Sequence, residues 1–280
     1  MGPGPGVRMG RELATTAQRG ELVLDRGPIE YEEHLARDDV RGLAPLVFLH
    51  EGLGSLELWR GFPAAVHAAT GRRTLVFSRH GYGGSAVVTE PRTVDYMHRE
   101  ALEVLPVVLE RLGYERPVLV GHSDGASIAL IHAGSDVGEP TALVLLAPHV
   151  IVEDRSVEGI EAARQSFLTT DLEHRMGRYH LDAAATFWGW NRIWLDPAFR
   201  RWDITEYLPQ VRCPVLAVQG HDDEYGTMRQ LDLVEAFVPT EVARVEIDDC
   251  RHSPHLDQPD ATLEATVAFL AALERGPGST

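Results

Sequence analysis

The chain has no lysine, and all 26 of its basic residues are arginine. Schiff-base aldolases, pyridoxal-phosphate enzymes and Walker-type nucleotide binders all depend on a lysine amine, so the sequence excludes these mechanisms. Acidic residues outnumber basic ones by 42 to 26, and a formal net charge of -16 repels nucleic acid and anionic membranes. We therefore expect neither a nucleic-acid partner nor a membrane partner.

Cysteine and long apolar runs are also scarce. The two cysteines, Cys213 and Cys250, form no CxxC pair and are too few for a disulfide framework in a chain of 280 residues. The opening residues lack the apolar core of a signal peptide, and no apolar run approaches the roughly 18 residues of a membrane span. We therefore expect a cytoplasmic protein.

Short apolar runs bounded by turn residues alternate with helical patterns along most of the chain. One or two short strands are predicted within 21–34. Parallel strands, most of them buried on both faces, are predicted at 45–50, 74–77, 117–120, 142–146, 214–218 and 243–247. Helical patterns cover 94–112, 126–132, 228–237 and 261–273. The alternation predicts an α/β protein with a mostly parallel, doubly wound sheet.

The alternation breaks once, between about Val150 and Leu208. This segment has no strand-like run, yet it holds four of the five tryptophans of the chain. We predict a helical lid at 150–208 whose aromatic side chains line an apolar pocket; the alternative is that they only attach the lid to the core. The predicted core then comprises 21–149 and 209–275, and flexible tails are predicted at 1–20 and 276–280.

The strongest chemical signal is Gly121-His-Ser-Asp-Gly125, a GxSxG element between a strand-like run and a helical pattern. A serine in so tight a turn needs very small residues two positions before and after it, and glycine fills both positions. The turn presents the hydroxyl at a helix N-terminus, which favours developing negative charge. We predict that Ser123 is a nucleophile.

A serine nucleophile needs a base that is itself held by a third group. Candidate acids follow the run at 214–218 and candidate histidines follow the run at 243–247, namely Asp222, Asp223, Glu224, His252 and His255. Open α/β sheets build their sites from loops at the carboxyl ends of strands. The chain order serine, acid, histidine is typical of hydrolases with a nucleophile elbow.

With these motifs, residues 45–273 resemble α/β-hydrolases of the type that includes meta-cleavage-product hydrolases, enol-lactone hydrolases and small esterases. The family's acid commonly stands three residues after a glycine, which selects Asp223 after Gly220, with Asp222 as the alternative. Its histidine commonly lies in a Gly-His-x-Pro-His stretch. That pattern selects His252, although Arg251 replaces the glycine.

The resemblance also implies an oxyanion hole made of two backbone N–H groups. One donor is expected at Asp124, directly after the nucleophile. The second is expected in the stretch His50-Glu-Gly-Leu-Gly54, where Glu51 replaces the usual glycine; we favour Gly52 over Leu53 as the donor. The side chains predicted to contact substrate are Leu53, His122, His149, Trp188 and Trp190.

These features predict a serine hydrolase that cleaves a carboxylic ester or lactone of a small, apolar substrate through an acyl-enzyme that water then hydrolyses. One alternative is a C–C bond hydrolase acting on a meta-cleavage-type diketone, with Arg164, Arg178 and Arg192 as candidates to hold its carboxylate. An alternative of another class is a ligand-sensing protein that keeps the fold with little turnover. The sequence determines neither the identity of the substrate nor whether the protein forms a homodimer.

We expect neither a metal nor an organic cofactor. Pro254 lies between His252 and His255, and the sequence has no HExxH spacing that would place metal ligands on one helical face. The glycines within 81–84 lack the spacing of a dinucleotide fingerprint, so no nicotinamide or flavin is expected.

Overall fold

An eight-stranded sheet forms the centre of the molecule in the computed structural model, which describes residues 17–40 and 42–275. The strands are β1 Gln18–Leu24, β2 Gly27–His34, β3 Leu46–Leu49, β4 Thr74–Phe77, β5 Val118–His122, β6 Ala142–Leu146, β7 Val215–Gly220 and β8 Val242–Ile247. Their order across the sheet is β1-β2-β4-β3-β5-β6-β7-β8. β2 pairs antiparallel with both β1 and β4, and all the other neighbouring strands pair in parallel, so the predicted mostly parallel sheet is confirmed.

Side chains from the central strands alternate between two buried layers. In β3, Val47 and Leu49 belong to one hydrophobic cluster, whereas Leu46 and Phe48 belong to the other. Successive side chains of a strand point to opposite faces of its sheet, so a strand covered on both faces needs an unbroken apolar run. This is why these strands were recognisable as short continuous apolar runs.

Helices cover both faces of the sheet. They are α1 Phe62–Thr70, α2 Tyr96–Arg99, α3 Leu105–Leu112, α4 Asp124–Ala133, α5 Asp154–Thr169, α6 Leu172–Met176, α7 Ala183–Trp194, α8 Arg229–Phe237, α9 Pro254–Asp257 and α10 Pro259–Arg275. The helical pattern at 94–112 corresponds to α2 and α3, which a π-helical turn at Glu100–Val104 joins. The helical patterns predicted from the sequence did not include α1. No helix in the described ranges has the length and hydropathy that a membrane span requires.

Helices α5, α6 and α7 lie in the segment between β6 and β7, which we call the insert (residues 150–208). Its two ends are joined to each other: the N–H of Ile204 donates to the carbonyl of Val150 at 3.0 Å, and Ile151 forms an isolated antiparallel bridge with Asp203. A capping box of Glu153 and Ser156 begins α5. Its action as a lid stays a prediction.

The predicted N-terminal tail is too long. β1 begins at Gln18 and pairs with β2 over its whole length, with Gln18 opposite Glu33. The last three residues of the predicted tail at 1–20 are therefore strand, because their backbone groups pair with a neighbouring strand that supplies the matching partners. Residues 1–16 of that tail, and the predicted C-terminal tail at 276–280, lie outside the described residues.

Candidate active site

Ser123 occupies a sharp turn between β5 and α4. Its backbone has φ 52° and ψ -118°, a conformation that is costly for a residue with a side chain. A Cβ at Gly121 would come within 2.4 Å of the carbonyl oxygen of Gly125, and one at Gly125 within 1.9 Å of the carbonyl oxygen of Leu49. Both glycines are therefore required for the turn, and the Ser123 side chain lies at the N-terminus of α4, where negative charge is favoured.

His252 connects Ser123 to Asp223. The Ser123 hydroxyl lies 2.9 Å from His252 Nε2, and His252 Nδ1–H donates to Asp223 Oδ1, also at 2.9 Å. The structure thus brings the three residues into one hydrogen-bonded chain from the ends of β5, β7 and β8. Asp222 is exposed and lies outside this chain, so the geometry favours Asp223 as the acid.

Asp223 is held by several donors. Its Oδ1 accepts from the N–H of Tyr225 at 2.8 Å and of Gly226 at 3.1 Å, and its Oδ2 accepts from Gln219 Nε2 at 3.0 Å. Burial raises the pKa of Asp223, but His252 and the Tyr225 N–H outweigh burial and lower the pKa to about 2. Asp223 is therefore a carboxylate at any pH near neutrality.

The surroundings of His252 favour its protonated form. Burial lowers the pKa of His252, but Asp223 first, and then Glu224 and Glu51, outweigh burial and raise it above the ordinary value of 6.5. The N–H of His252 also donates to Glu224 Oε2 at 3.1 Å. A base with these neighbours accepts a proton readily and is stabilised once it is charged.

A cavity of about 240 Å³ opens beside Ser123. Besides Ser123 and His252, its lining residues come from the loop after β3, from the insert and from the loops after β6, β7 and β8: Glu51, Gly52, Leu53, His149, Ser156, Ile160, Trp190, Trp194, Glu224, Tyr225 and Ser253. A cavity of this size holds a small ligand and is bounded partly by aromatic rings.

Three of the five side chains predicted to contact substrate lie on this cavity, namely Leu53, His149 and Trp190. Burial, followed by the charge of His252, lowers the pKa of His149 to about 3, so His149 is neutral. The sequence did not single out Trp194, although it lies four residues after Trp190. One helical turn separates these two tryptophans and places both on the same face of α7.

The other two predicted contacts, His122 and Trp188, are absent from the cavity lining. His122 lies beneath the site, where its Nε2–H donates to the carbonyl of His252 at 2.7 Å. Trp188 is two residues from Trp190, about 200° around α7, so the two rings lie on nearly opposite faces. It packs against Phe167 and Phe187 instead.

Of the two predicted oxyanion donors, one follows Ser123 in the chain and the other lines the same cavity. Asp124 follows Ser123 directly, and its buried carboxylate accepts from the Tyr96 hydroxyl at 2.6 Å. Gly52 and Leu53 both line the cavity, and a Cβ at Gly52 would lie 2.1 Å from Trp190 Nε1. The Trp190 ring thus lies so close to this loop that a side chain at position 52 would displace it.

A buried arginine connects these two regions. Arg79, which is 1% exposed, donates from Nη2 to the carbonyls of His50 and Glu51 at 3.2 and 3.0 Å. The same Nη2 lies 3.8 Å from the carboxylate of Asp124. Arg79 therefore stabilises the arrangement of the loop after β3 relative to the start of α4. Within the described residues, no three His, Cys, Asp or Glu side chains are grouped as metal ligands.

The sequence is similar to a known protein family and to several known proteins. The model of the alpha/beta hydrolase family matches residues 46–265. The chain is 25% identical to the mouse sn-1-specific diacylglycerol lipase ABHD11 over 92% of this chain and 91% of that protein. It is also 25% identical to the bifunctional esterase/perhydrolase DCH of Acinetobacter calcoaceticus, over 65% of this chain and 75% of that protein.

Among solved structures, the enol-lactonase from Burkholderia xenovorans LB400 superposes with a TM-score of 0.69 at 18% identity. The superposition covers 90% of this chain and 100% of the enol-lactonase chain. At this identity the likeness concerns the fold.

Proposed function

The chain belongs to the alpha/beta hydrolase family and is a hydrolase, and from this premise we propose that it cleaves carboxylic esters or lactones of small, apolar substrates. The observation that carries the proposal is the hydrogen-bonded chain from Ser123 through His252 to Asp223, with 2.9 Å at each step. Relatives named as an esterase and a lipase support ester hydrolysis as the reaction.

The reaction begins with attack of Ser123 Oγ on the substrate carbonyl while His252 Nε2 accepts the hydroxyl proton. Asp223 fixes the Nδ1–H tautomer of His252 and stabilises the imidazolium. The N–H groups of Asp124 and Gly52 stabilise the tetrahedral oxyanion. His252 then gives its proton to the leaving alcohol, and a water activated by the same histidine hydrolyses the acyl-enzyme.

The insert supplies one part of the cavity wall. Ile160, Trp190 and Trp194 come from α5 and α7, and Leu53 faces the same space from the loop after β3. We infer that the insert acts as a lid, and that the acyl or alcohol group of the substrate packs against these side chains.

The charge of the cavity wall favours ester over C–C bond hydrolysis. A meta-cleavage-type diketone carries a carboxylate, which needs a cationic partner in the cavity. The exposed Arg164, Arg178 and Arg192 are absent from the lining, and no other arginine of the described residues lines it. Glu51 and Glu224 do line it and repel a carboxylate.

Intact-mass measurement after fluorophosphonate treatment tests the proposed nucleophile. We expect one adduct on the wild type and none on Ser123→Ala. Ser135→Ala is the matched control, because Ser135 lies just beyond the other end of α4 and outside the cavity, and we expect it to be labelled like the wild type. An adduct that persists on folded Ser123→Ala contradicts the proposal, and so does a folded wild type that is not labelled.

A further inference from the structure

Two glutamates, Glu51 and Glu224, are among the residues that line the catalytic cavity. Among the described residues, no arginine side chain lines the same cavity, and the chain has no lysine. The remaining titratable lining groups are His149, His252 and Tyr225, of which His149 and Tyr225 are neutral near pH 7. With His252 neutral and ready to accept a proton, the cavity therefore has a net negative wall.

Glu51 is ionised although it is largely enclosed. Its side chain is 26% exposed, and its carboxylate lies 3.4 Å from His122 Nδ1. Burial raises the pKa of Glu51, but the hydrogen-bonding contact with His122 outweighs burial and holds the pKa well below the ordinary range. A carboxylate thus belongs to the residue next to Gly52, one of the two proposed oxyanion donors.

A negative charge at this position opposes the reaction of a neutral ester. The tetrahedral intermediate places a second negative charge on the oxyanion, and charges repel strongly inside a partly desolvated cavity. A positive charge on the substrate offsets this repulsion. A glutamate beside the oxyanion hole is therefore better suited to a cationic substrate than to a neutral one.

Aromatic rings line the same space as the two carboxylates. Trp190 and Trp194 face it from the insert, and Tyr225 faces it from the loop after β7. An organic cation is attracted to the faces of such rings, most strongly to tryptophan, and a methylated ammonium group also gains from contact with apolar surface. The net charge of -16 adds a long-range attraction for cations approaching the protein.

We propose that the cavity selects esters that carry an alkylammonium group, which lies between the carboxylates of Glu51 and Glu224 and the rings of Trp190, Trp194 and Tyr225. This inference rests on the proposed ester hydrolysis, and it changes the proposed substrate from an apolar ester to one whose alkyl groups surround a cationic nitrogen. The cation belongs to either the alcohol or the acyl part of the ester, and the test covers both.

Matched pairs of esters isolate the charge from size and shape. For the alcohol side the pair is acetylthiocholine and the thioacetate of its uncharged carbon isostere, the 3,3-dimethylbutyl group. For the acyl side the pair is the nitrophenyl ester of trimethylammoniobutyrate and that of its uncharged carbon isostere, a dimethylhexanoate in which a quaternary carbon replaces the nitrogen. We expect kcat/KM to be at least about tenfold higher for the cationic member of one pair.

Charge-removing variants assign the preference to residues. We expect Glu51→Gln to lower the cationic-to-neutral ratio of kcat/KM about tenfold, and Glu224→Gln to lower it about threefold, because solvent screens the exposed Glu224. Glu51→Asp keeps the charge and is expected to retain most of the ratio. Glu173→Gln, exposed on α6 and outside the cavity lining, is the control that leaves the ratio at the wild-type value.

Two outcomes overturn the proposal. The first is a ratio near one for both pairs in an active wild type. The second is a Glu51→Gln variant that loses activity equally on both members of a pair, which would make Glu51 a positioning residue that acts through His122.

Calorimetry with choline and 3,3-dimethylbutanol tests the cation site separately from ester hydrolysis. Choline binding about tenfold tighter, in a protein that cleaves no ester, supports the cation site and refutes the hydrolysis.

Discussion

The catalytic cavity has two sides that are built differently. On the sheet side, Ser123, Asp223 and His252 follow three parallel strands, and backbone hydrogen bonds and close glycine contacts fix their positions. On the insert side, Ile160, Trp190 and Trp194 are positioned by helix faces and side-chain packing. From this difference we expect the sheet side to determine whether the reaction occurs and the insert side to determine which substrate is used.

The largest expected effect is at the nucleophile. Ser123→Ala removes the attacking oxygen and is expected to lower kcat by about 10⁴-fold or more, with little change in the affinity for substrate. Steady-state kinetics on a chromogenic ester, with fluorescence titration of a product, measures both quantities. A Ser123→Ala variant with unchanged kcat and a raised KM would contradict the proposed division between the two sides.

The next largest effect concerns the turn that holds the nucleophile. Gly125→Ala places a Cβ 1.9 Å from the carbonyl oxygen of Leu49 in β3, and we expect it to lower the free energy of unfolding by about 3 kcal/mol. Gly177→Ala, in the insert, is the control. Its Cβ would meet its nearest atom at 3.4 Å with φ -61°, so a change below about 1 kcal/mol is expected. Urea denaturation measures both changes. An equal decrease in the free energy of unfolding for the two variants would show that the insert is as constrained as the turn.

A smaller effect is expected on the insert side. Trp190→Ala removes aromatic surface from the cavity wall and is expected to raise KM about tenfold with a lesser change in kcat. Trp188→Ala is the control on the opposite face of α7, and its KM is expected to stay within about twofold of the wild type. If Trp188→Ala raised KM more than Trp190→Ala did, the face of α7 that carries Trp188 would be the one that contacts the substrate.

The smallest effect is a displacement of the pH profile. His252 must be neutral to accept the serine proton, so kcat/KM falls as the pH drops through its pKa. Because that pKa is raised, the midpoint of this fall is expected above pH 6.5. Glu224→Gln removes one of the charges that raise the pKa and should move the midpoint to lower pH. A midpoint that moves upward, or does not move, argues against the electrostatic role of Glu224.

The sequence predicted the sheet side of the site in more detail than the insert side. Parallel strands covered on both faces require apolar runs, and the turn at Ser123 requires Gly121 and Gly125, so both leave local signals. The choice of Asp223 over Asp222 needed the resemblance to a family, and the structure places only Asp223 on His252.

Residues that contact each other through tertiary packing leave weaker local signals. The tryptophan-rich composition indicated an aromatic pocket, but it did not say which faces of α7 point inward, and Trp188 was wrongly placed on the cavity. Helical periodicity would have paired Trp190 with Trp194. The contribution of Glu51 to the wall was not apparent because it depends on the fold of a loop that in the family usually has glycine at that position.

The joined ends of the insert have a consequence for protein engineering. Because Ile204 bonds to Val150 and Ile151 pairs with Asp203, the insert leaves the core and returns to it at neighbouring points. A foreign segment grafted between β6 and β7 must close this short junction and replace contacts with the core such as the Thr186 hydroxyl donating to the Gly81 carbonyl. The strands that hold Ser123, Asp223 and His252 stay unaltered. Libraries of exchanged inserts are therefore a direct route to hydrolases that share one reaction centre and differ in the molecules they accept.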